Sequence, residues 1–104
     1  MQYGESSNGQ QVEVAANEEF EIALPETRTA GYRWITARKG EPVCQLLEEN
    51  SQPNTTGIGG SGTHRWRFRA VSAGTGEVEF HYARSWERAP GPAKIFTLRI
   101  CVRP

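Results

Sequence analysis

The sequence THRWRFRAV, residues 63–71, alternates between apolar and charged side chains. Trp66, Phe68 and Ala70 fall on one side of an extended chain, and arginines fall on the other. Because successive side chains of a strand point to opposite faces, this pattern predicts a strand with one buried face and one solvated face. Strands of this kind build antiparallel sheets.

Six other stretches carry the same two-residue period and are separated by turn residues. They are residues 10–15, 19–24, 32–37, 43–48, 77–83 and 94–102. A single helical turn is possible around residues 42–50, where the strand alternation is ambiguous. Seven alternating strands in about 100 residues predict an all-β, immunoglobulin-like β-sandwich of about seven antiparallel strands. A small barrel is the alternative fold.

Trp34, on the third predicted strand, fits the core tryptophan of such a sandwich. The two cysteines, Cys44 and Cys101, lie on neither the second nor the sixth strand, so the inter-sheet disulfide of antibody domains cannot form. We expect both thiols to be free and packed as small hydrophobic groups.

The second and fifth strands are neighbours in one sheet of this architecture. Their outer faces carry two glutamates and three arginines, namely Glu19, Glu21, Arg65, Arg67 and Arg69. Opposite charges across a strand pair are mildly stabilising. We therefore predict cross-strand ion pairs on this face, and the alternative is a charged face that is merely solvated.

The length of 104 residues predicts one domain. We expect residues 10–104 to form it, and residues 1–9 to be a flexible tail with nothing to bury. The polar start, MQYGESSNGQQ, predicts no signal peptide in this chain. Removal of an export signal would leave a similar start, so the location in the cell stays open.

The 12 lysines and arginines balance the 12 aspartates and glutamates. A neutral chain lacks the electrostatic attraction of a nucleic-acid or membrane-surface binder. No apolar run approaches the roughly 20 residues that span a bilayer. We expect a monomer that binds neither nucleic acid nor membrane.

Three long irregular connections fall at one end of the predicted sandwich if successive strands alternate in direction. They are residues 25–31, 50–62 and 83–92. Long loops on a rigid scaffold commonly carry function. The third contains Trp86 beside Arg84, and these residue types dominate interface hot spots. The alternative is that Trp86 packs back against its own sandwich. The pattern predicts a binding surface made of three loops.

Catalysis and metal binding find little support in the residues. The two histidines and two cysteines have neither the spacing of a zinc site nor the local signature of a catalytic dyad. The glycine-rich stretch 57–60 is not a phosphate loop, because no lysine follows it. We expect no enzyme activity, no metal and no cofactor.

Taken together, the three loops resemble those of the chagasin family of cysteine-protease inhibitors. That family carries Asn-Pro-Thr-Thr-Gly-aromatic, Gly-x-Gly-Gly and Arg-Pro-Trp in this order. The corresponding segments here are Thr27-Arg28-Thr29-Ala30-Gly31-Tyr32, Gly57-Ile58-Gly59-Gly60 and Arg84-Ser85-Trp86. The chain departs from the family at Thr27, Arg28, Ala30 and Ser85.

The resemblance implies reversible, non-covalent inhibition of papain-like cysteine proteases by a three-loop wedge inserted into the active-site cleft. It implies that the tip at residues 29–31 approaches the catalytic cysteine and histidine of the protease. The glycine-rich loop would lie on one side of the cleft, and Arg84 and Trp86 on the other. The implied protease-binding residues are Thr29, Ala30, Gly31, Tyr32, Gly57, Ile58, Gly59, Gly60, Arg84 and Trp86.

The alternative is an adhesion or carbohydrate-binding module that uses the same loop end, with Trp86 stacked on a sugar ring. Sugar sites usually pair aromatic rings with fixed aspartate or asparagine side chains, and this loop end has few of them.

Overall fold

The computed structural model describes residues 2–27, 31–53, 61–84 and 93–104. Within these ranges the chain forms eight strands and one short 3-10 turn. The strands are β1 (Gln2–Tyr3), β2 (Gln10–Ala15), β3 (Glu19–Thr27), β4 (Tyr32–Lys39), β5 (Cys44–Pro53), β6 (Ser61–Ala70), β7 (Gly74–Arg84) and β8 (Lys94–Arg103). The 3-10 turn spans Glu5–Ser7.

The described strands form two four-stranded sheets, with the orders β1-β3-β6-β5 and β2-β8-β7-β4. The pairs β1–β3 and β2–β8 are parallel, and the other pairs are antiparallel. The prediction of an all-β sandwich is confirmed, with eight strands in place of seven. The strand β2 pairs with β8, so the first long strand belongs to a different sheet from β3.

The core lies between the two sheets and is rich in aromatic rings. Trp66 of β6 stacks on Phe80 of β7 across the interface, with ring centroids 3.8 Å apart. Trp34 is buried and meets Trp66 edge to face at 6.4 Å. The predicted inner faces of residues 19–24, 63–71, 77–83 and 94–102 are confirmed by the burial of their apolar members.

The predicted ion pairs form on the outer face of the β3–β6 pair. Arg69 lies 3.0 Å from Glu19, and Arg65 lies 2.9 Å from Glu21. The third arginine pairs instead with a glutamate of β5 on the opposite flank. These side chains remain partly exposed to solvent, so each pair contributes little to stability.

The N-terminal segment differs from the expectation of a tail with nothing to bury. Gln2 and Tyr3 pair with β3, and the Tyr3 ring meets the buried Phe20 ring edge to face at 6.2 Å. The partial burial of Tyr3 against the core explains why this segment adds a strand. The prediction was based on the polar composition of residues 1–9 and overlooked that the single aromatic side chain, Tyr3, could pack against the core.

Both cysteines are free, as predicted. Cys44 is buried at the start of β5, and Cys101 is partly exposed on β8. Within the described ranges, the chain has no helix that is long and apolar enough to cross a membrane.

Candidate functional site

The strand ends that flank the three long connections lie at the same end of the sandwich. In one sheet, Thr27 pairs with Ser61 and Pro53 with Gly62. In the other, β4 begins opposite the end of β7, and β8 begins beside it. The prediction that these connections share one end is confirmed. The strands run further than expected, so the connections between them shorten to residues 28–31, 54–60 and 85–93.

Three of the ten predicted binding residues fall within the described ranges, namely Gly31, Tyr32 and Arg84. The others lie outside the described residues: Thr29, Ala30, Gly57, Ile58, Gly59, Gly60 and Trp86. Gly31 has a φ of +83°, a backbone conformation that L side chains rarely adopt. A glycine at the return of the first loop therefore sets the direction in which β4 begins.

The strand residues that flank each of the three loops are called here the loop stems. Stacked side chains join the stems of the first and third loops. The Arg84 guanidinium carbon lies 4.6 Å from the centre of the Tyr32 ring, a cation–π distance. The Tyr32 ring stacks on Tyr82 at 5.0 Å, and Tyr82 meets Trp34 at 4.7 Å. The arrangement brings two predicted binding residues, Tyr32 and Arg84, into contact.

Hydrogen bonds connect the same stems across the two sheets. The backbone N–H of Thr27 donates to the Tyr82 hydroxyl at 2.7 Å. The Trp34 indole N–H donates to the carbonyl of Pro25 at 2.8 Å. The end of β3 is thus held by side chains of β4 and β7, which belong to the other sheet.

A buried carboxylate lies immediately before the first loop. The side chain of Glu26 is fully buried on the inner face of β3. One carboxylate oxygen accepts from the Trp34 backbone N–H at 2.9 Å and lies 3.0 Å from His64 Nδ1. The other accepts from the Ser51 hydroxyl. Burial alone raises the pKa of Glu26, but the hydrogen bonds and the charge of His64 outweigh it, so the pKa lies below its ordinary value.

His64 lies between two glutamates. Its Nε2 is 2.8 Å from Glu49 Oε2, and its ring stacks on Trp66 at 4.2 Å. The other oxygen of Glu49 accepts from the Thr36 hydroxyl at 3.3 Å, and that hydroxyl accepts from the Trp66 indole N–H. Together Glu26, Ser51, His64, Glu49 and Thr36 form a continuous network, called below the loop-end network.

The sequence interpretation missed this network because it assigned Glu26 to a loop. The signal was available in the strand period, since Glu26 continues the inward positions of Phe20, Ile22 and Leu24. His64 likewise precedes Trp66 on the inner face of β6, and Leu24 and His64 are register partners. A carboxylate and an imidazole on neighbouring inner faces indicate a buried pair.

In the described part of the chain, no three acidic, histidine or cysteine side chains are placed to hold a metal ion together. The loop-end network is a chain of hydrogen bonds that runs from the exposed Glu49 to the buried Glu26. Its arrangement is suited to fixing strand ends against each other.

The fold and the site define an immunoglobulin-like β-sandwich whose three long connections emerge together from strand ends fixed across both sheets. The sequence pattern of the chagasin family of peptidase inhibitors, I42, matches residues 13–100. The chain belongs to the chagasin family, whose members are protease inhibitors rather than enzymes. Comparison with curated proteins gives no sequence match.

Solved structures share the fold over nearly the whole chain. The cysteine protease inhibitor EhICP2 from Entamoeba histolytica aligns with a TM-score of 0.85 and 19% identity, covering 98% of this chain and 94% of EhICP2. Amebosin aligns with a TM-score of 0.78 and 24% identity, covering 98% and 96%. PbICP-C, solved in complex with falcipain-2, aligns with a TM-score of 0.67 and 16% identity, covering 99% and 90%.

Proposed function

We propose that this protein inhibits papain-like cysteine proteases reversibly and non-covalently, by inserting its three loops into the active-site cleft. The family match over residues 13–100 carries the proposal. The related inhibitor PbICP-C binds falcipain-2, a papain-like cysteine protease, and supports this choice of target class. The convergence of the loop stems at one end supports a single wedge-shaped contact surface.

In this proposal the first loop, with Thr29 and Ala30 before Gly31, approaches the catalytic cysteine and histidine of the protease. The stretch Gly57–Gly60 lies on one side of the cleft, and Arg84 with Trp86 lies on the other. Small residues at a tip let the backbone approach a surface closely. A tryptophan supplies a large anchoring surface. In this mode of inhibition the inhibitor is not cleaved, so no acyl-enzyme forms.

The stacking of Arg84 on Tyr32 holds the stems of the first and third loops together before the protease binds. Because the stems are held before binding, less conformational freedom is lost on association. The adhesion or carbohydrate-binding alternative is not favoured, because the family match points to peptidase inhibition and no described feature points to a sugar.

The test is a titration of active-site-counted papain with the purified protein. We expect activity to fall linearly to near zero at a molar ratio of one, and to recover on dilution with the inhibitor mass unchanged. Val71→Ala is a matched control, because Val71 is exposed at the opposite end of the sandwich. Unchanged papain activity at tenfold excess, together with glycan binding, would select the alternative.

A further inference from the structure

We propose that Glu26 and His64 are positioning residues for inhibition, which hold the stems of the first and second loops in their binding arrangement. The inference rests on the proposed function and assigns these two buried side chains a role that the loop residues alone do not supply. Neither residue belongs to the three loop motifs. Glu26 lies next to the end of β3, where the first loop begins, and His64 lies three residues after the start of β6, where the second loop ends.

The two hydrogen-bond contacts of His64 constrain which of its ring nitrogens carry a proton. An ionised carboxylate only accepts hydrogen bonds, and a neutral imidazole has one donor nitrogen and one acceptor nitrogen. Here Nδ1 faces Glu26 and Nε2 faces Glu49, at 3.0 and 2.8 Å. With both glutamates ionised, both contacts are hydrogen bonds only when both ring nitrogens carry a proton. The network is complete with an imidazolium between two carboxylates.

The surroundings of His64 contain no other titratable partner in the described contacts. From β3 it meets Glu26, and from β5 it meets Glu49. On its own strand it stacks on the neutral Trp66 ring. The groups that reach the same carboxylates, Ser51 and the backbone and hydroxyl groups of β4, are neutral. The lowered pKa of Glu26 agrees with an ionised carboxylate beside a cation.

The network also spans the gap between the two sheets. Glu26, His64 and Glu49 belong to the β1-β3-β6-β5 sheet, whereas the Trp34 N–H and Thr36 hydroxyl belong to β4 of the other sheet. Glu26 immediately precedes the last residue of β3. One carboxylate therefore ties the entry to the first loop, its return strand β4, and both strands that flank the second loop.

Position distinguishes this role from general stabilisation. The aromatic core already holds the sheets together along their length, and the network lies at the end where binding takes place. Charge-assisted hydrogen bonds are stronger and more directional than neutral ones. Removing one partner leaves a buried donor or acceptor without its bond and loosens the strand ends that it joined. Looser stems lose more freedom on binding, which weakens inhibition even in fully folded protein.

The first test measures the inhibition constant for papain at 25 °C, with Glu26→Gln and His64→Gln beside the parent. Both variants keep the size of the side chain and remove the charge. We expect each to weaken inhibition about tenfold, mostly through faster dissociation. The matched controls are Glu19→Gln, an ion-paired glutamate on an outer face, and His81→Gln, a partly exposed histidine bonded to Glu79. Both controls should inhibit like the parent.

The pH dependence separates positioning from a structural loss. The ratio of inhibition constants, His64→Gln over parent, should be largest where His64 is an imidazolium. It should fall toward one as pH rises, with the midpoint at which the His64 ring titrates by NMR. The ratio for His81→Gln should stay near one throughout. A folded Glu26→Gln or His64→Gln variant that inhibits as tightly as the parent at every pH would overturn the inference.

An NMR measurement on the parent protein tests the inference without an inhibition assay. Nitrogen-15 spectra should show protons on both ring nitrogens of His64 at the pH of tightest inhibition. The Thr27 and Trp34 backbone amides should shift with the same titration. A single ring proton at that pH would overturn the inference, even if the variants fail to fold. If the parent leaves papain active while these NMR results hold, the proposed function fails and the coupling of the stems stands.

Discussion

At the residue scale, the buried carboxylate of Glu26 makes the stability of the fold depend on pH and decrease in acid. Its pKa in the folded state lies below the ordinary value of 4.5. A carboxyl with a lowered folded pKa contributes stability that is present above the unfolded pKa and is lost as pH falls through the folded pKa. The contribution of Glu26 is therefore complete at neutral pH and disappears in acid.

We predict that Glu26→Gln lowers the free energy of unfolding at pH 7 by about 1.5–3 kcal/mol, the value of hydrogen bonds to a charged group. The difference from the parent should shrink below pH 4.5, where the parent carboxyl also becomes neutral. Urea unfolding at several pH values measures both. Glu19→Gln, at an exposed ion pair, should change the free energy by less than about 1 kcal/mol. A difference that is constant with pH would contradict the prediction.

Trp86 is the residue whose loss should most affect binding. Replacing a buried interface tryptophan by alanine typically costs at least ~2 kcal/mol, or roughly thirtyfold in affinity. We expect Trp86→Ala to raise the inhibition constant for papain by that factor while the thermal unfolding midpoint stays within about 2 °C. If Trp86→Ala inhibits as well as the parent, Trp86 is not an anchor.

The individual residues show how far the sequence could predict the site. Loop motifs led to Gly31, Tyr32 and Arg84, and the structure brings Tyr32 and Arg84 together. Motifs could not lead to Glu26 and His64, because their role depends on register between strands that are distant in sequence. To place those two side chains side by side, one must know both which residues of each strand point inward and that the two strands are paired.

At the scale of the elements, a bulge explains why the alternation of residues 43–48 was ambiguous, and a second bulge lies at the end of the predicted strand 32–37. The register between β5 and β6 shifts between Leu46 and Glu48, so the alternation reverses within the stretch whose parity was ambiguous. The β4–β7 register shifts in the same way between Thr36 and Arg38. One extra residue moves all later side chains to the other face. The possible helical turn at residues 42–50 is limited to turn residues 41–43, where the Cys44 N–H donates to the Gly40 carbonyl at 3.0 Å, and β5 occupies the stretch from Cys44 onward.

Gly76 is the glycine whose replacement should most disturb a strand. A Cβ added there would lie 2.5 Å from the Gly40 carbonyl oxygen and 2.5 Å from a methyl carbon of Val43. The carbonyl belongs to the turn that leads from β4 to β5, so the backbone itself would have to move. We predict that Gly76→Ala destabilises the fold by about 1–3 kcal/mol, as overpacked sites do.

The control for this prediction is Gly4→Ala. A Cβ at Gly4 would make an ordinary contact at 3.5 Å, and Gly4 does not have a positive φ. Urea unfolding should therefore place the Gly4 variant within about 0.5 kcal/mol of the parent. Equal stability of the Gly76 and Gly4 variants would show that the turn yields to the added methyl group.

The first loop should limit affinity, because two of its three departures from the family pattern, Arg28 and Ala30, remove groups that favour binding. Proline fixes one backbone angle where this chain has Arg28, and threonine supplies a hydroxyl where this chain has Ala30. A compatible proline and a neutral hydrogen bond each contribute about 0.5–1.5 kcal/mol. We predict that Arg28→Pro with Ala30→Thr tightens papain inhibition by roughly one to two orders of magnitude, mostly through slower dissociation.

Measurement at two ionic strengths separates this gain from a charge effect. If Arg28 instead pairs with an acidic group of the protease, the double variant binds more weakly at low salt. A constant that is unchanged or weaker at both salt concentrations would mean that the first loop does not lie at the catalytic centre. The single variants show which of the two changes carries the gain.

At the scale of the whole molecule, the sandwich is held by an aromatic core and cross-sheet hydrogen bonds. The described strands carry paired opposite charges on their outer faces, which agrees with the balanced composition. The period of the apolar residues sufficed to predict the layers, because each sheet has one buried face. It could not predict which sheet takes β2, because either edge could accept a strand with that pattern.

The two thiols should report how the whole fold opens. Burial raises the pKa of Cys44 to about 11, and only the thiolate reacts with a disulfide reagent. Cys101 is partly exposed and lies 3.7 Å from the Thr75 hydroxyl. We predict that two thiols react in unfolded, unreduced protein, and that labelling of folded protein at pH 8 has a fast phase and a slow phase. The slow phase, from Cys44, should be at least about a hundredfold slower, because the raised pKa of Cys44 leaves little thiolate at pH 8 and the fold shields its sulfur. Moderate urea should accelerate the slow phase alone, because Cys44 becomes accessible when its strand separates from the core.

The control variant is Cys101→Ser, which should abolish the fast phase and leave the slow one unchanged. A single fast phase of two thiols would show that β5 opens without the rest of the sandwich, and no reactive thiol in the unfolded protein would show that a disulfide forms.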